Sequence, residues 1–407
     1  MNQEFSKVSD LIDASKPDLI DKLCSMIGIK AISPKSGGAG EMHRAEYLQR
    51  ILRSWGLEIK RYDYTDDTGT IRPNIVTRIG NAEKTIWFVG HMDTVSEGDA
   101  RLWNNDPFTA KIDGDKIYGR GTTDDGSGVF ASMFALKAIK DSGAKLKYNF
   151  GLALVSDEEM SSVFGMDKLV KESGVFNKDD MFCVPDFWTD DGAMVEIGEK
   201  GFLWLKITVN GKQVHASTPD QGKNAYRYAV KFIGEADELL HKKYNKTNPL
   251  FEPDYSTFEM TKHEKNVDSI NIVPGTDVSY IDCRVLPEYN LDEIINDLRK
   301  IAKSDMYRDV QIAVEEFKRE DAGPITSPDS EIVNLIAKAL KELRQIEPRR
   351  AGIGGGTCAA FARRAGMDAV AWGTSTEIAH QPNEYVKISD IINDAKVLAY
   401  ICLDHSA

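Results

Sequence analysis

Cysteine is scarce in this chain: five are present among 407 residues, and none belongs to a Cys-x-x-Cys pair. Small disulfide-bonded domains and thiolate zinc sites both need cysteines at close, paired spacings. The sequence therefore predicts neither. The cysteines are Cys24, Cys183, Cys283, Cys358 and Cys402.

Long apolar runs are also missing, and the N-terminal stretch MNQEFSKVSDLIDASK lacks the apolar segment of a signal peptide. A membrane-spanning helix needs about 20 mostly apolar residues, and a signal peptide needs an apolar stretch of about 7–15. We therefore expect a cytoplasmic protein.

Basic side chains are in the minority, with 51 Lys and Arg against 64 Asp and Glu, which gives a net charge of −13. Nucleic acids and anionic membranes are bound mainly through basic faces, so we expect neither as a partner. The hydrophobic share of 42% and the charged share of 28% are ordinary for a globular protein. The length allows two domains.

The first half of the chain alternates between strand-like apolar runs and helical periodicity, which predicts an α/β fold with a mostly parallel mixed sheet flanked by helices. The predicted strands are Leu57–Tyr64, Asn74–Arg78, Thr85–Val89 and Asn149–Val155, and the predicted helices are Lys7–Ile27 and Ala45–Trp55.

The middle of the chain has a different order, β-α-β-β-α-β, which is typical of a ferredoxin-like unit. Its predicted elements are Gly201–Val209, Asn224–Leu240, Tyr255–Met260, Asp277–Val285, Leu291–Ser304 and Val310–Glu315. After Pro324 the α/β pattern returns, with a helix at Glu331–Leu343 and a strand at Ala369–Trp372. We therefore predict one domain, residues 1–199 and 319–407, interrupted by an inserted domain, residues 200–318.

Acidic and histidine side chains recur where predicted strands end, which is where open α/β sheets place their ligands. His91 and Asp93 follow one strand, and their spacing puts both on the same face of an extended chain. Imidazole and carboxylate ligands suit zinc and, less well, manganese or cobalt, and a carboxylate can bridge two ions. The candidates are His91, Asp93, Asp124, Glu158, Glu159, Asp186 and His380.

Each candidate also has a structural interpretation. A single Asp or Glu is more often a solvated loop residue or a helix cap, and His91 could be a core histidine. The run Gly354–Gly356 fits an anion site or a tight turn, and it lacks the G-x-G-x-x-G pattern of a dinucleotide loop. The common position of the candidates at strand ends favours a site.

The segments HMDT, YGRGTTDD, SDEE, PD and EIAHQPNE, in that order, resemble the aminoacylase/carboxypeptidase family of dizinc hydrolases. That family includes succinyl-diaminopimelate desuccinylase, acetylornithine deacetylase and carnosinase-like dipeptidases. The resemblance extends over nearly the whole chain and implies that the inserted domain is a lid and dimerisation domain.

The resemblance implies two divalent ions in each chain, with zinc expected and cobalt or manganese as alternatives. His91 and Asp186 would hold one ion, Glu159 and His380 the other, and Asp124 would bridge both. The peptide bond between Asp124 and Asp125 would be cis.

The catalytic roles follow from the same resemblance. Asp93 would accept the other N–H of His91 and fix its tautomer. Glu158 would be the general base that takes a proton from a metal-activated water and returns it to the leaving nitrogen.

The resemblance also implies substrate contacts from the inserted domain and the closing segment. His215, in GKQVHASTP, would cross the interface of a homodimer and stabilise the transition state at the substrate carbonyl. Further substrate contacts are implied for Asn271, Arg284, Gly355, Gly356 and Thr357.

Two positions depart from the family pattern. Gly126-Ser127 replaces a frequent Lys-Gly, and Phe361 stands where bacterial desuccinylases carry an arginine, a role that Arg349 or Arg350 could take over. We expect a hydrolase of N-acyl amino acids, similar to a desuccinylase. The alternatives are a dipeptidase or carboxypeptidase, or a non-catalytic homologue that binds metal or ligand.

Overall fold

The computed structural model describes residues 3–405 and has the predicted mixed α/β class. The helices in that range are α1 (Gln3–Ala14), α2 (Lys16–Ile27), α3 (Met42–Ser54), α4 (Gly128–Ser142), α5 (Lys168–Glu172), α6 (Ala225–Lys243), α7 (Leu291–Ala302), α8 (Glu331–Ala339), α9 (Ala359–Arg364) and α10 (Ile388–Tyr400).

The strands in the same range are β1 (Lys60–Thr65), β2 (Ile71–Ile79), β3 (Thr85–His91), β4 (Lys111–Asp113), β5 (Lys116–Tyr118), β6 (Asn149–Val155), β7 (Met181–Thr189), β8 (Met194–Glu199), β9 (Gly201–Asn210), β10 (Val214–His215), β11 (Thr257–His263), β12 (Ile272–Val273), β13 (Thr276–Val285), β14 (Gln311–Glu320), β15 (Arg349–Ile353), β16 (Ala369–Thr374) and β17 (Tyr385–Lys387).

The chain forms two compact units. The larger unit comprises Met1–Ile197, Ile325–Arg350 and Thr357–Ala407, and the smaller unit comprises Gly198–Pro324 and Ala351–Gly356. The smaller unit therefore contains the whole segment predicted as an insertion. It also contains the later segment Ala351–Gly356, which includes the glycine run Gly354–Gly356.

The larger unit is built on a mixed sheet of strand order β1-β2-β6-β3-β7-β16-β8-β15. Its parallel part is the centre, β6-β3-β7-β16, and β1, β2 and β8 pair antiparallel. Every residue of β3 and β6 is buried, as expected for apolar strands covered on both faces. The carboxyl ends of these parallel strands meet at one edge of the sheet, where the candidate ligands lie.

Alternate residues of β3 pack on opposite faces of the sheet. Trp87 and Val89 belong to an apolar cluster with Leu169 of α5 and Ala362 of α9. On the other face Phe88 stacks on Phe150 of β6, with ring centroids 4.2 Å apart. The sheet thus has helices and apolar side chains on both sides, and the predicted arrangement is confirmed.

The predicted helix Lys7–Ile27 is two helices, α1 and α2, which meet at Ser15. Pro17 lies in the first turn of α2, where the missing N–H of proline costs nothing, whereas inside a continuous helix it would leave a carbonyl unpaired. The prediction of a single helix was wrong because it ignored this proline.

The smaller unit has the predicted β-α-β-β-α-β order, given by β9, α6, β11, β13, α7 and β14. Its antiparallel sheet has the order β11-β13-β9-β14. Leu203 and Leu205 of β9 alternate with more exposed residues and pack with Phe232 of α6 and Leu298 of α7. The apolar alternation in β9 explains why one face of this sheet carries both helices.

Within residues 3–405, no helix is both long enough and apolar enough to cross a membrane.

Candidate metal centre

Two overlapping groups of metal-competent side chains lie at the carboxyl edge of the large sheet. One group is His91, Asp124 and Glu159, and the other is His91, Glu158 and Asp186. In each group, one ligand atom from every residue lies within 4.8 Å of the others. The structure therefore brings together side chains that are far apart in sequence.

His91 is the last residue of β3 and is buried. Its Nδ1 lies 3.1 Å from the backbone carbonyl of Asp93, and because a carbonyl can only accept, Nδ1 carries a proton. Its Nε2 lies 2.8 Å from Asp124 Oδ1 and 3.8 Å from Asp186 Oδ1. Nε2 is therefore the nitrogen that could bind a cation, and it lies next to the carboxylates of Asp124 and Asp186.

Asp124 lies between two imidazoles. Its Oδ1 contacts His91, and its Oδ2 is 3.0 Å from Nε2 of His380. Burial would raise the pKa of Asp124, but the hydrogen bonds with His380 and His91 hold it below its usual range. The peptide bond that follows, between Asp124 and Asp125, is cis, as the resemblance implied.

His380 and Glu159 contact each other next to Asp124. Nε2 of His380 is 3.1 Å from Glu159 Oε2, and hydrogen bonds with Asp124 and Glu159 raise the pKa of His380 to about 10. The other oxygen of Glu159 accepts the backbone N–H of Val95 at 3.1 Å. Glu159 is therefore held by the backbone on one side and aimed at His380 on the other.

Asp186 lies within β7, just beyond the apolar residues Met181–Val184 that begin this strand. Pairing between β7 and β16 shifts register between Ala371 and Gly373, next to Pro185 and Asp186. Proline cannot donate to a strand ladder, so the irregularity coincides with the residue that loses its backbone donor. Asp186 projects into the site from this irregular part of the strand.

Glu158 and Glu159 are held by Asp93. Asp93 Oδ1 accepts the backbone N–H of Glu158 and Oδ2 accepts that of Glu159, each at 3.1 Å. The expected contact from the carboxylate to His91 is longer, 3.5 Å to Nδ1, so the tautomer is fixed mainly by the Asp93 carbonyl. Asp93 thus orients the two glutamates as well as the histidine.

The charges in the site fit divalent cations. Within residues 3–405, the ion pairs of Asp124, Glu159 and Asp186 are made with histidines. Burial and then Asp186 raise the pKa of Glu158 well above its usual range, and burial would lower that of His91 but Asp186 and Asp124 raise it. Buried carboxylates without a nearby ammonium or guanidinium are costly, and bound cations with oxygen and nitrogen ligands would offset this cost.

The predicted substrate contacts in the smaller unit fall into two places. His215 of β10 is exposed, with Nδ1 bonded to the Ser217 hydroxyl at 2.7 Å, and β10 pairs with β12, next to the exposed Asn271. The backbone N–H of Ala216 donates to the Asn271 carbonyl at 2.9 Å. The structure therefore brings the His215 and Asn271 segments together.

The second place is around Arg284. Its Nε lies 2.7 Å from Asp282 Oδ1, its Nη2 lies 3.1 Å from Asp282 Oδ2, and its Nη1 donates to the Gly354 carbonyl at 3.2 Å. Gly355 and Gly356 follow Gly354 directly. Thr357 belongs to the larger unit, where its hydroxyl accepts the N–H of Ala359 at the start of α9.

Two residues near the site were not identified from the sequence. Arg72 is fully buried in β2 and lies 2.8 Å from both Glu41 and Asp157, the residue before Glu158. Burial and then Asp93 raise the pKa of Glu41 to about 8. The sequence offered no clear signal for Arg72, because this residue precedes the predicted strand Asn74–Arg78 and an arginine among polar residues is normally exposed.

The other unidentified residue is Glu384, the last letter of EIAHQPNE. Its side chain is buried, and one oxygen accepts the N–H groups of Thr123 at 2.9 Å and of Asp124 at 3.1 Å. Burial and then Asp124 raise the pKa of Glu384. The sequence offered no signal here, because a glutamate in a polar loop is normally solvated.

Comparison with known proteins finds relatives that match nearly the whole chain. The model of peptidase family M20/M25/M40 matches residues 87–404. An uncharacterised metallohydrolase of Methanocaldococcus jannaschii is 38% identical over 404 residues, covering 93% of this chain and 98% of the relative. The succinyl-diaminopimelate desuccinylase of Pelagibacter ubique is 25% identical over 379 residues, covering 92% of this chain and 96% of the relative.

Two solved structures share the fold. The M20 family metallo-carboxypeptidase Sso-CP2 from Sulfolobus solfataricus superposes with a TM-score of 0.76 at 22% identity, covering 94% of this chain and 98% of the other. The dipeptidase Dug1p from Saccharomyces cerevisiae gives a TM-score of 0.75 at 18% identity, covering 98% of both chains. The chain belongs to peptidase family M20/M25/M40, a family of metal-dependent hydrolases.

Proposed function

We propose that this protein is an amidohydrolase that cleaves the amide bond of an N-acyl amino acid, with desuccinylase-like activity as the first expectation. The observation that carries the proposal is the position of Asp124, which contacts His91 at 2.8 Å and His380 at 3.0 Å, in a site that also contains the buried Glu158. In this arrangement the ligands would suffice for two ions, and the Glu158 carboxylate would remain available to transfer protons.

In this proposal His91 and Asp186 hold one divalent ion, Glu159 and His380 hold the other, and Asp124 is shared. Zinc is the expected metal, with cobalt or manganese as alternatives. Bound ions would polarise the substrate carbonyl and lower the pKa of a water molecule. The ligands are oxygen and nitrogen atoms on five different segments of the chain, which keeps them apart until the chain folds.

Glu158 acts as the general base. It takes a proton from the attacking water and gives it to the leaving amide nitrogen, so the Glu158 carboxylate is restored after each turnover. Its position supports this role, because the hydrogen bond from its backbone N–H to Asp93 holds it beside His91 and Asp186. A non-catalytic metal-binding homologue would have no need of such a residue.

The smaller unit supplies substrate contacts in this proposal. His215 completes the site of a partner subunit in a homodimer, and Asn271 and Arg284 bind the substrate. Gly355, Gly356 and Thr357 offer backbone N–H groups. The pairing of β10 with β12 supports a joint role for His215 and Asn271, because it fixes the two segments against each other.

A dipeptidase or carboxypeptidase is the second candidate, and Phe361 favours it. This residue stands where desuccinylases of the resembling family carry an arginine, and it is buried in an apolar cluster of the larger unit. Arg349 and Arg350, which could take over the role of that arginine, are exposed. Arg350 already donates to the Pro328 carbonyl at 3.1 Å. A substrate whose acyl group ends in a free carboxylate would therefore find no arginine at position 361 to bind that carboxylate.

A substrate panel separates these activities. Zinc-loaded and cobalt-loaded protein should be assayed on N-succinyl-diaminopimelate, N-acetylornithine and a set of dipeptides, with Glu158→Ala protein as the blank. Hydrolysis of at least one amide by the wild type alone supports the proposal. If no amide in the panel is cleaved by protein that has bound its metal, the proposal is wrong and the binding homologue is favoured.

A further inference from the structure

We infer that Glu384, paired with Arg120, is a positioning residue that holds the Asp124 loop against the His380 segment and thereby sets the site formed by Asp124, Glu159 and His380. This inference rests on the proposed metal-binding function. It assigns a role to a buried pair that touches neither substrate nor metal.

The Glu384 carboxylate accepts an unusual number of backbone donors from one loop. Its Oε1 accepts the N–H groups of Gly121 at 3.1 Å, Thr123 at 2.9 Å and Asp124 at 3.1 Å. The N–H of Gly121 is also 3.1 Å from Oε2. Because the Asp124 N–H is among these donors, the carboxylate fixes the backbone of the residue that contacts both imidazoles.

Arg120 ties the same carboxylate to the His380 segment. Its Nη1 donates to Glu384 Oε2 at 2.7 Å, and its Nη2 donates to the His380 carbonyl at 3.4 Å. The guanidinium also lies over the ring of Trp103, 5.1 Å from its centroid. The pair is fully buried, so neither solvent nor salt screens it strongly.

His380 needs such support because the segment that carries it is short and exposed. The histidine is itself exposed and has a positive φ of 63°, a conformation that non-glycine residues adopt only where neighbouring contacts hold it. Its imidazole reaches Asp124 and Glu159 through Nε2. Arg120 binds its carbonyl, so the backbone of His380 is held from the same side as the Asp124 loop.

The site that contains His91 and Asp186 has separate anchors. The N–H of His91 donates to Asp125 Oδ2 at 3.1 Å, and the N–H of Gly128 donates to Asp125 Oδ1 at 3.2 Å. Neither of these contacts involves Glu384, although the shared residue Asp124 links the two parts of the site. We therefore expect a change at Glu384 to weaken the ion held through His380 far more than the other.

Glu384→Gln is the most informative variant, because it keeps the shape of the side chain and cannot keep its contacts. If the amide oxygen takes the Oε1 position, its NH2 group faces the Arg120 donor. If the amide is turned around, the NH2 group faces the donors of Thr123 and Asp124. The variant should still fold, because β17 pairs with β5 and the Thr123 hydroxyl donates to the Tyr385 carbonyl at 2.7 Å.

A suitable control is Glu196→Gln. Glu196 is another fully buried glutamate of the larger unit, paired with Arg363 at 2.6 Å, and it accepts a backbone N–H from Ala371 at 3.2 Å. Its replacement also breaks a buried ion pair and lowers stability. Within residues 3–405 its side chain bonds to Arg363 and Ala371 and not to the His380 segment or the Asp124 loop, so the variant reports the effect of a generally loosened core.

The experiment is a zinc titration by calorimetry with a competing chelator, on wild type, Glu384→Gln and Glu196→Gln proteins. His380→Ala and Asp186→Asn identify which binding step belongs to which ion. Glu384→Gln should weaken the His380-dependent step by about 10- to 100-fold, a typical effect of removing a partner that orients metal ligands. The Asp186-dependent step should keep its affinity to within about threefold, and Glu196→Gln should leave both steps unchanged.

Equal affinities in Glu384→Gln and wild type would overturn the inference, and so would an equal loss at both steps. If Glu384→Gln does not fold, Arg120→Lys tests the same pair, since it keeps the positive charge but gives up the second nitrogen that reaches His380. It should weaken the same step, and an unchanged step would again overturn the inference. A wild-type protein that binds no zinc would instead contradict the proposed function.

Discussion

Asp124 offers one oxygen to each of two imidazoles, and this sharing organises the chemistry of the site. Each histidine contacts a different oxygen of this carboxylate through its Nε2. Asp93 fixes the backbones of both Glu158 and Glu159, but only the Glu159 side chain contacts His380. Neighbouring carboxylates of the same chemistry therefore differ in the contacts that their side chains make.

Replacement of Glu158 by Gln should lower the turnover number by about 10²- to 10⁴-fold, because general acid–base catalysis typically contributes that factor. Zinc content should stay at the wild-type level, since the proposed ligands are unchanged. The measurement is steady-state kinetics together with metal analysis of the same samples. Glu172→Gln, at an exposed residue paired with Lys168, is the matched control. Undiminished turnover in Glu158→Gln would remove Glu158 from the mechanism.

Secondary-structure elements bring these side chains together through the parallel centre of the large sheet. The carboxyl ends of β3 and β6 supply His91 and the 156–159 loop, and the irregular part of β7 supplies Asp186. Helix α10 packs against β16 of the same sheet. There, Asp394 of α10 accepts the N–H and the hydroxyl of Thr374 at 2.6 and 2.7 Å, so it fixes the helix to β16.

Asp394 should make the stability of the larger unit depend on pH. Burial raises its pKa to about 7 in spite of Arg344 and the Thr374 hydrogen bonds, whereas an unfolded aspartate has a pKa of about 3.9. Between these values the folded state holds more protons than the unfolded state, so the free energy of unfolding falls as pH rises from about 4 to about 7. Above pH 7 the contribution is constant.

The test is thermal or urea unfolding of the wild type and Asp394→Asn at several pH values. Asparagine removes the titration and keeps one acceptor for Thr374, so the stability of the variant relative to the wild type should rise between about pH 4 and pH 8. A shift of about three pKa units corresponds to roughly 4 kcal/mol, as an order of magnitude. A stability difference that is independent of pH would show that Asp394 is already ionised at pH 4.

At the scale of the whole molecule, much of the site could be predicted because its residues lie in short segments that follow apolar strands. The structure brings His91, Asp124 and Glu159 together from three such segments. The partners of Arg72 and Glu384 could not be predicted, because each pair joins residues far apart in sequence. Strand register and loop contacts decide such pairs, and neither is encoded in a local pattern.

The fold was predictable to a similar extent. The β-α-β-β-α-β order of the smaller unit follows from alternation in strands such as β9. Element ends were less accurate: β7 continues to Thr189, although the apolar run ends at Val184. The continuation depends on pairing with β16, which only the folded sheet provides.

The proposed homodimer gives a prediction for mixed chains. Glu158→Ala and His215→Ala proteins should each be inactive, but a heterodimer of the two should recover activity at one of its two sites. This outcome is expected because one site would then combine an intact Glu158 with an intact His215 from the other subunit. The measurement is the amide-hydrolysis rate of purified, differently tagged heterodimers. Their continued inactivity would show that each site is complete within one chain.

Metal content measured together with chelator-sensitive hydrolysis tests the central claim most directly. The purified protein should be reconstituted with zinc, freed of excess ion, analysed for metal and assayed on the substrate panel with and without a chelator. We predict close to two zinc ions per chain and amide hydrolysis that the chelator abolishes and added zinc restores. Fewer than one ion per chain, with no chelator-sensitive hydrolysis, would contradict the account.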